Sequence, residues 1–296
     1  MIIQKYFEDR SELLNKVLDQ LLTPDKEQPA QLYAAMRYSA LNGGKRLRPV
    51  LLYATYEMLN RSNDVSLLEQ VSYAAAAIEC VHTASLIHDD LPSLDDSDER
   101  RGQLSCHKKF DPATAILAGD ALLTKAFEAL AKIEDKNKAV KCIQILCNAV
   151  STRGMIGGQT VDLISSDKNN VQINVLKYIH MKKTGALLEA SIKLACALYG
   201  ADENMTNTLS NYALNLGLAY QIIDDILDDV GDFEMLGKEP YEDVRNNKST
   251  YPSIMGLDKA RRTAEKLLDD SYKLIKTIPD NQILVEFVRM IKDRLP

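Results

Sequence analysis

Proline is absent from residue 113 to residue 239. Proline removes a backbone donor and clashes inside a helix. So long a stretch without it, rich in Ala, Leu, Lys and Glu and poor in β-branched clusters, points to long helices. The nine prolines fall outside it, at 24, 29, 49, 92, 112, 240, 252, 279 and 296. Apolar spacing agrees: Leu13, Leu14, Val17, Leu18 and Leu21 recur at helical intervals. Val175, Ile179, Leu187, Leu188, Ile192, Leu194, Ala195 and Leu198 predict a long helix ended by Gly200. Leu209, Ala213, Leu216, Leu218, Ile222, Ile223, Ile226 and Leu227 predict another, ended by Gly231. Further helices are expected near 30–42, 47–60, 65–91, 113–132, 137–152, 258–276 and 281–293. The one Asn-Gly pair, at 42–43, precedes a basic tract, so no hairpin is expected. With no repeat, low-complexity tract or linker, the reading is one all-α domain of about ten helices over 1–296.

The 296 residues carry 36 basic and 42 acidic side chains, a formal charge of −6, with pI near 5.4. That balance argues against nucleic acid and anionic membrane as general partners, while a local basic cluster still suits an anionic substrate. Hydrophobic residues, 46% of the chain, suffice for a sizeable core. Cysteines at 80, 106, 142, 147 and 196 are odd in number and form no C-x-x-C pair. A disulfide framework or zinc ribbon is therefore not expected, and a reducing compartment fits. The N-terminus, MIIQKYFEDRSELLNK, lacks the apolar core of a secretory signal. The most apolar stretch, Val71 to His88, carries Glu79 and two histidines and reads as a buried helix, not a membrane span.

Two acidic clusters stand out. One runs His88-Asp89-Asp90-Leu91-Pro92-Ser93-Leu94-Asp95-Asp96-Ser97-Asp98-Glu99 and meets Arg100-Arg101; the other is Gln221-Ile222-Ile223-Asp224-Asp225-Ile226-Leu227-Asp228-Asp229. Each places aspartates at the C-terminal end of an apolar helix, where the helix dipole disfavours a carboxylate by about 0.3–1 kcal/mol. Asp224 and Asp228 share a face with Asp225 beside it, whereas Pro92 should end its helix and return Asp95 through a turn. A solvated acidic helix end is the bland reading of either cluster. For two together, oxygen-only cation binding is the stronger one, and it selects Mg²⁺ or Ca²⁺ over zinc. The Ca²⁺-loop signature is missing, and Mg²⁺ shares its ligation with substrate phosphate.

Basic tracts complement these clusters. Gly43-Gly44-Lys45-Arg46-Leu47-Arg48-Pro49 offers backbone amides and three cations to a phosphate, although it is no P-loop. Lys182-Lys183-Thr184-Gly185 puts a glycine inside a long helix at a cost of about 1 kcal/mol. A break there makes sense if Lys183 and Thr184 face a ligand. Gly237-Lys238 and Lys248-Ser249-Thr250-Tyr251-Pro252 add cations. Carboxylates for Mg²⁺ opposed by Lys and Arg, around an Ala- and Leu-rich core, suit ionisation of a diphosphate attached to a hydrocarbon.

From about residue 30 to residue 256, these motifs in this order resemble the trans-isoprenyl diphosphate synthases, the polyprenyl synthetase family. The D-D-x-x-x-x-D spacing of Asp89, Asp90 and Asp95, together with D-D-x-x-D at Asp224, Asp225 and Asp228, is similar to the bacterial short-chain branch of farnesyl diphosphate synthases, or geranyltranstransferases. The resemblance implies an antiparallel helical bundle around a large central cavity, a homodimer, a cytoplasmic location, and about three Mg²⁺ per active site with substrate bound. It implies that Asp89, Asp95 and Asp224 ligate metal, with Asp90, Asp225 and Asp228 in support. Arg100, Lys183, Thr184, Gln221 and Lys238 would contact the allylic diphosphate; Gly44, Lys45, Arg48, His82 and Arg101 would bind isopentenyl diphosphate. The implied reaction condenses isopentenyl with dimethylallyl or geranyl diphosphate by ionisation, condensation and elimination, with pyrophosphate as base.

Tyr241 stands where the family often has glycine, while Asp243 is retained, so a changed loop is expected. Ala84, the fifth residue before Asp89, and its neighbour Ser85 lie where a growing chain would pass, and farnesyl synthases of this branch commonly carry an aromatic there. Alanine leaves room for a geranylgeranyl (C20) product unless Met36, Tyr73 or Leu122 fills the gap; farnesyl is the expectation. An HD-type phosphohydrolase built on His88-Asp89, with His82 and His107, leaves the second acidic cluster and the basic tracts unexplained. A terpene cyclase lacks the Gly-Lys-Arg-Leu-Arg-Pro tract, and a non-catalytic binding subunit would be expected to have lost an aspartate or Lys45. His107 and His180 read as ordinary polar or capping residues, and Cys80 and Cys196 as core.

Overall fold

The computed structural model describes residues 2–24, 29–61, 65–166, 171–231 and 249–296. Lys238, Tyr241, Asp243 and Lys248 lie outside them. The chain forms two compact units, Met1–Gln144 and Ile145–Pro296.

The first unit holds α1 (Ile2–Leu21), α2 (Ala30–Leu41), α3 (Leu47–Asn60), α4 (Val65–Asp89), a short α5 (Cys106–Lys109), α6 (Pro112–Ala131) and most of α7 (Lys136–Val150). The most extensive helix packing in this unit is α4 against α6. Small side chains allow it: Ala74, Ala75, Ala76, Ala77, Ala84, Ala115, Ala118 and Ala126 are all buried. An Ala-rich helix apolar on every side belongs inside a protein. At the start of α6, Asp111 accepts a hydrogen bond from the Thr114 backbone N–H at 2.8 Å, and Pro112 fills the first turn.

The second unit holds the end of α7, then α8 (Met155–Ser166), α9 (Ile173–Ile179), a π-helical turn over His180–Gly185, α10 (Ala186–Tyr199) and α11 (Glu203–Val230). It closes with α12 (Tyr251–Met255), α13 (Leu257–Ile275) and α14 (Gln282–Lys292). Asp202 caps α11 by accepting from the Met205 N–H at 2.7 Å, and Gly231 ends it at φ +73°. In α13, Ala260, Ala264, Leu268, Ser271 and Ile275 are buried at three- and four-residue intervals, the stripe that packs on α11.

The architecture is all-α, and the long helices lie where spacing predicts them. Three local features differ. A two-strand ladder, β1 (Glu99–Arg100) with β2 (Gln103–Leu104), stands where no hairpin was expected. Its turn is Arg101-Gly102, at φ +56° and +73°, the two positive values a tight hairpin needs, supplied without Asn. Helix α8, absent from the predicted set, forms despite Gly157-Gly158. Gly185 does not break its helix but closes a π turn continuous with α9 and α10.

Candidate active site

In the first unit, α4 delivers the first acidic motif. The helix ends at Asp89, and the turn beyond Pro92 carries Asp95 back, its backbone N–H donating to the Asp89 carbonyl at 2.9 Å. Asp95 is exposed and Asp89 half-buried. Asp90 points inward, 2% exposed, onto Arg100, whose Nε donates to both its oxygens at 3.1 Å. Burial pushes the Asp90 carboxyl up despite Arg100, and the same pairing raises Arg100 against its own burial. Asp90 and Arg100 thus fix the hairpin to the end of α4.

The basic tract sorts itself by burial. Lys45 is exposed and Arg48 half-buried, while Arg46 is buried against Glu79. Arg48 Nη1 lies 3.3 Å from His82 Nε2. Burial first, then the charges of Arg48, Arg101, Arg46 and Arg100, hold His82 well below its usual value. His82 is therefore a neutral imidazole whose Nε2 accepts from Arg48. Arg101 Nη1 donates to the Gly43 carbonyl at 2.9 Å. A Cβ on Gly44 would sit 2.5 Å from Arg101 Cζ, and Gly44 has φ +103°, so only glycine fits beneath that guanidinium.

His88, the first residue of the acidic motif, faces elsewhere. Its Nε2 lies 3.1 Å from the Ile116 carbonyl of α6 and fills the space beside Gly119. That contact counts against the His-Asp metal pair of a phosphohydrolase. On a helix, Ser85 is one turn before Asp89 on its face, while Ala84 is about 140° round and shares the His88 face. Ala84 is buried, and Ser85 donates to the His82 carbonyl at 2.8 Å.

In the second unit, the π turn is the hub. Lys183 Nζ pairs with Asp162 of α8 at 2.8 Å, and Thr184 Oγ1 donates to Gln221 Oε1 at 3.1 Å. Gln221 Nε2 reaches Asp224 Oδ2 at 3.5 Å, and Arg294 meets Asp224 Oδ1 at 2.7 Å while lying over the Tyr220 ring. Thr184, Gln221 and Asp224 thus form one hydrogen-bonded chain, with Lys183 beside Thr184 in the same turn. The helices approach closely enough for this because Gly158 lies against the turn: a Cβ there would be 2.4 Å from the Lys183 backbone nitrogen. A π turn adds a residue to a helix and redirects its side chains, which is why such turns gather at working sites.

Asp225 and Asp228 face inward, at 7% and 1% exposure. Asp225 Oδ2 accepts from the Tyr251 backbone N–H at 2.9 Å and lies 3.3 Å from His180 Nε2, whose ring stacks on Tyr251. The Ser-Thr-Tyr-Pro segment thus anchors α11: Thr250 and Ser253 form a capping box that aims the Tyr251 N–H at Asp225. His180, read from sequence as ordinary, is part of this anchor. Asp162 and Arg294 are further site neighbours that carry no motif signal, and the Asp-to-Lys and Arg-to-Asp pairings that reveal them span long sequence distances.

Among the described residues no three His, Cys, Asp or Glu side chains converge into a cage for a metal ion. The donors at both helix ends are carboxylates, a hard oxygen set that suits Mg²⁺ shared with a phosphate rather than enclosed by protein. No helix among the described residues is long and apolar enough to cross a membrane.

Residues 29–289 match the sequence pattern of the Polyprenyl synthetase family. The chain is 43% identical to the farnesyl diphosphate synthase of Haemophilus influenzae, over 93% of this chain and 94% of that one. It is also 43% identical to the large subunit 1 of a heterodimeric geranylgeranyl pyrophosphate synthase of Arabidopsis thaliana, over 88% of this chain and 71% of that one. The crystal structure of a Helicobacter pylori geranyltransferase complexed with magnesium and isoprenyl diphosphate superposes with a TM-score of 0.84 at 30% identity, covering all of this chain and 98% of that one.

Proposed function

The chain belongs to the polyprenyl synthetase family, and from that premise we propose that it is a Mg²⁺-dependent prenyltransferase that condenses isopentenyl diphosphate with dimethylallyl and then geranyl diphosphate to give farnesyl diphosphate and pyrophosphate. The observation that carries the reading is the hydrogen-bonded chain Thr184–Gln221–Asp224, with Lys183 next to Thr184, which brings two separate family motifs to one place. The whole chain, 1–296, is taken as one polyprenyl synthetase domain because the family pattern runs unbroken over 29–289.

Asp89, Asp95 and Asp224 would hold Mg²⁺, which when bound neutralises diphosphate oxygens and so eases departure of the leaving group. Lys183, Thr184, Gln221 and Arg100, with Lys238, orient the allylic diphosphate and receive the charge that develops on it. Lys45, Arg48, Arg101 and neutral His82 hold the isopentenyl diphosphate, with Gly44 keeping space for Arg101. The allylic C–O bond breaks with its electron pair leaving on pyrophosphate, and the isopentenyl double bond forms the new C–C bond. The proton then lost goes to pyrophosphate, so no protein base is required. Exposed Ile116 and Leu117 on α6 support a homodimer, and a cytoplasmic location fits five cysteines with no disulfide among them.

A geranylgeranyl product is the second reading, favoured by Ala84 and by the plant relative. The test of the activity is pyrophosphate release from isopentenyl plus geranyl diphosphate, with Mg²⁺ and after chelation. Asp89→Asn and Asp224→Asn should each lower turnover at least about a hundredfold while the fold survives. Undiminished release after chelation, or in both variants, would refute the reading.

A further inference from the structure

Glu79 lies on α4, three residues before His82, and carries no role in the reaction as drawn above. It is 1% exposed, an expensive place for a carboxylate. Its Oε1 binds Arg46 Nη1, and the same oxygen is 3.9 Å from Arg101 Nη2. Arg46 spends the rest of its guanidinium inward as well: Nη2 donates to the Ala40 carbonyl at 2.7 Å and reaches Asn15 Oδ1 at 3.3 Å. Arg46 therefore offers nothing to a phosphate, although it sits between two residues that do.

The two arginines share a further property. Arg46 has φ +48° and Arg101 φ +56°, a left-handed backbone that L-residues avoid. Both sit in loops, one between α2 and α3 and one in the hairpin, and both loops turn their guanidinium groups to one carboxylate. Arg101 is also tied to the Gly43 carbonyl and lies flat over Gly44. Burial disfavours the Arg101 charge most, Glu79 opposes it, and Arg46, Arg100 and Arg48 add to the burial effect, so Arg101 stays a cation whose charge the Glu79 carboxylate favours. The Glu79 carboxylate lies within reach of both guanidinium groups, and without it Arg46 and Arg101 would be neighbouring cations that repel one another.

We propose that Glu79 is a positioning residue of the isopentenyl diphosphate site, holding Arg101 over Gly44 through a carboxylate shared with buried Arg46. The proposal rests on the reading that Arg101 binds that substrate.

Glu79→Gln keeps the shape and one acceptor and removes the charge. It should raise KM for isopentenyl diphosphate, and weaken its binding in calorimetry without an allylic partner, by about tenfold. The turnover number and the KM for geranyl diphosphate should stay within about twofold. The double variant Arg46→Met with Glu79→Leu replaces the buried pair by apolar groups and keeps the fold. If Glu79 merely offsets Arg46, this variant regains the native KM, and the proposal is overturned; if Glu79 positions Arg101, the KM stays raised. Arg101→Met separates the two layers of the argument. Unchanged isopentenyl diphosphate binding in Arg101→Met would refute the site reading itself. Weakened binding there with native binding in Glu79→Gln would refute only the role of Glu79.

Discussion

His82 illustrates how one side chain's surroundings decide its chemistry. Buried, and surrounded by Arg48, Arg101, Arg46 and Arg100, it stays neutral where a free histidine would begin to charge. Its folded pKa lies below the unfolded value of about 6.5. At higher pH neither state is protonated and His82 contributes nothing to the pH dependence. As pH falls through about 6.5 the unfolded chain gains a proton that the folded chain refuses, so stability drops until the folded pKa is reached. Thermal melts between about pH 5 and 7.5 should therefore show a shallower acid-side slope in His82→Asn than in the native protein. Identical slopes would contradict this account. The motif residues themselves were legible: Asp89, Asp95, Lys183, Gln221 and Asp224 stand out by type and spacing. Their partners were not. Nothing in the spacing ties Asp162 to Lys183, Arg294 to Asp224 or Glu79 to Arg101, because each pairing depends on packing across elements.

At the scale of elements, helix α8 is the instructive case. Gly157-Gly158 weakens any helix prediction there, yet Gly158 is what lets α8 lie against the π turn. Gly158→Ala should place a methyl group against backbone that cannot rotate away. The expected cost is about 1–3 kcal/mol in chemical unfolding. Because the displaced residues carry Lys183 and Thr184, KM for the allylic diphosphate should rise more than that for isopentenyl diphosphate. An unchanged KM ratio in a destabilised variant would show that the turn tolerates the shift. The long helices were legible because apolar spacing and the proline gap speak directly to the 3.6-residue repeat. The hairpin was not, because its positive-φ turn is Arg101-Gly102 rather than Asn-Gly, and tertiary contacts of Arg101 hold it. The π turn was visible only as a misplaced glycine, since an inserted residue leaves the flanking helical pattern intact.

For the molecule as a whole, the open quantity is how far the product grows. Ser85 shares the face of Asp89, and Ala84 turns toward the face of His88, so the space beside Ala84 borders α6 rather than lying directly below the aspartates. Ala84→Tyr should shift the product distribution toward shorter chains, read by mass, with the Mg²⁺ requirement unchanged; an unaltered distribution would move the limit to other side chains. The most direct measurement is a mass-resolved condensation assay with Mg²⁺, isopentenyl diphosphate and, separately, dimethylallyl, geranyl or farnesyl diphosphate. The account predicts farnesyl diphosphate from the first two starters and no extension of the third. Efficient extension of farnesyl diphosphate would contradict the assigned product, and no condensation with any starter, despite Mg²⁺-dependent binding, would contradict the enzyme itself.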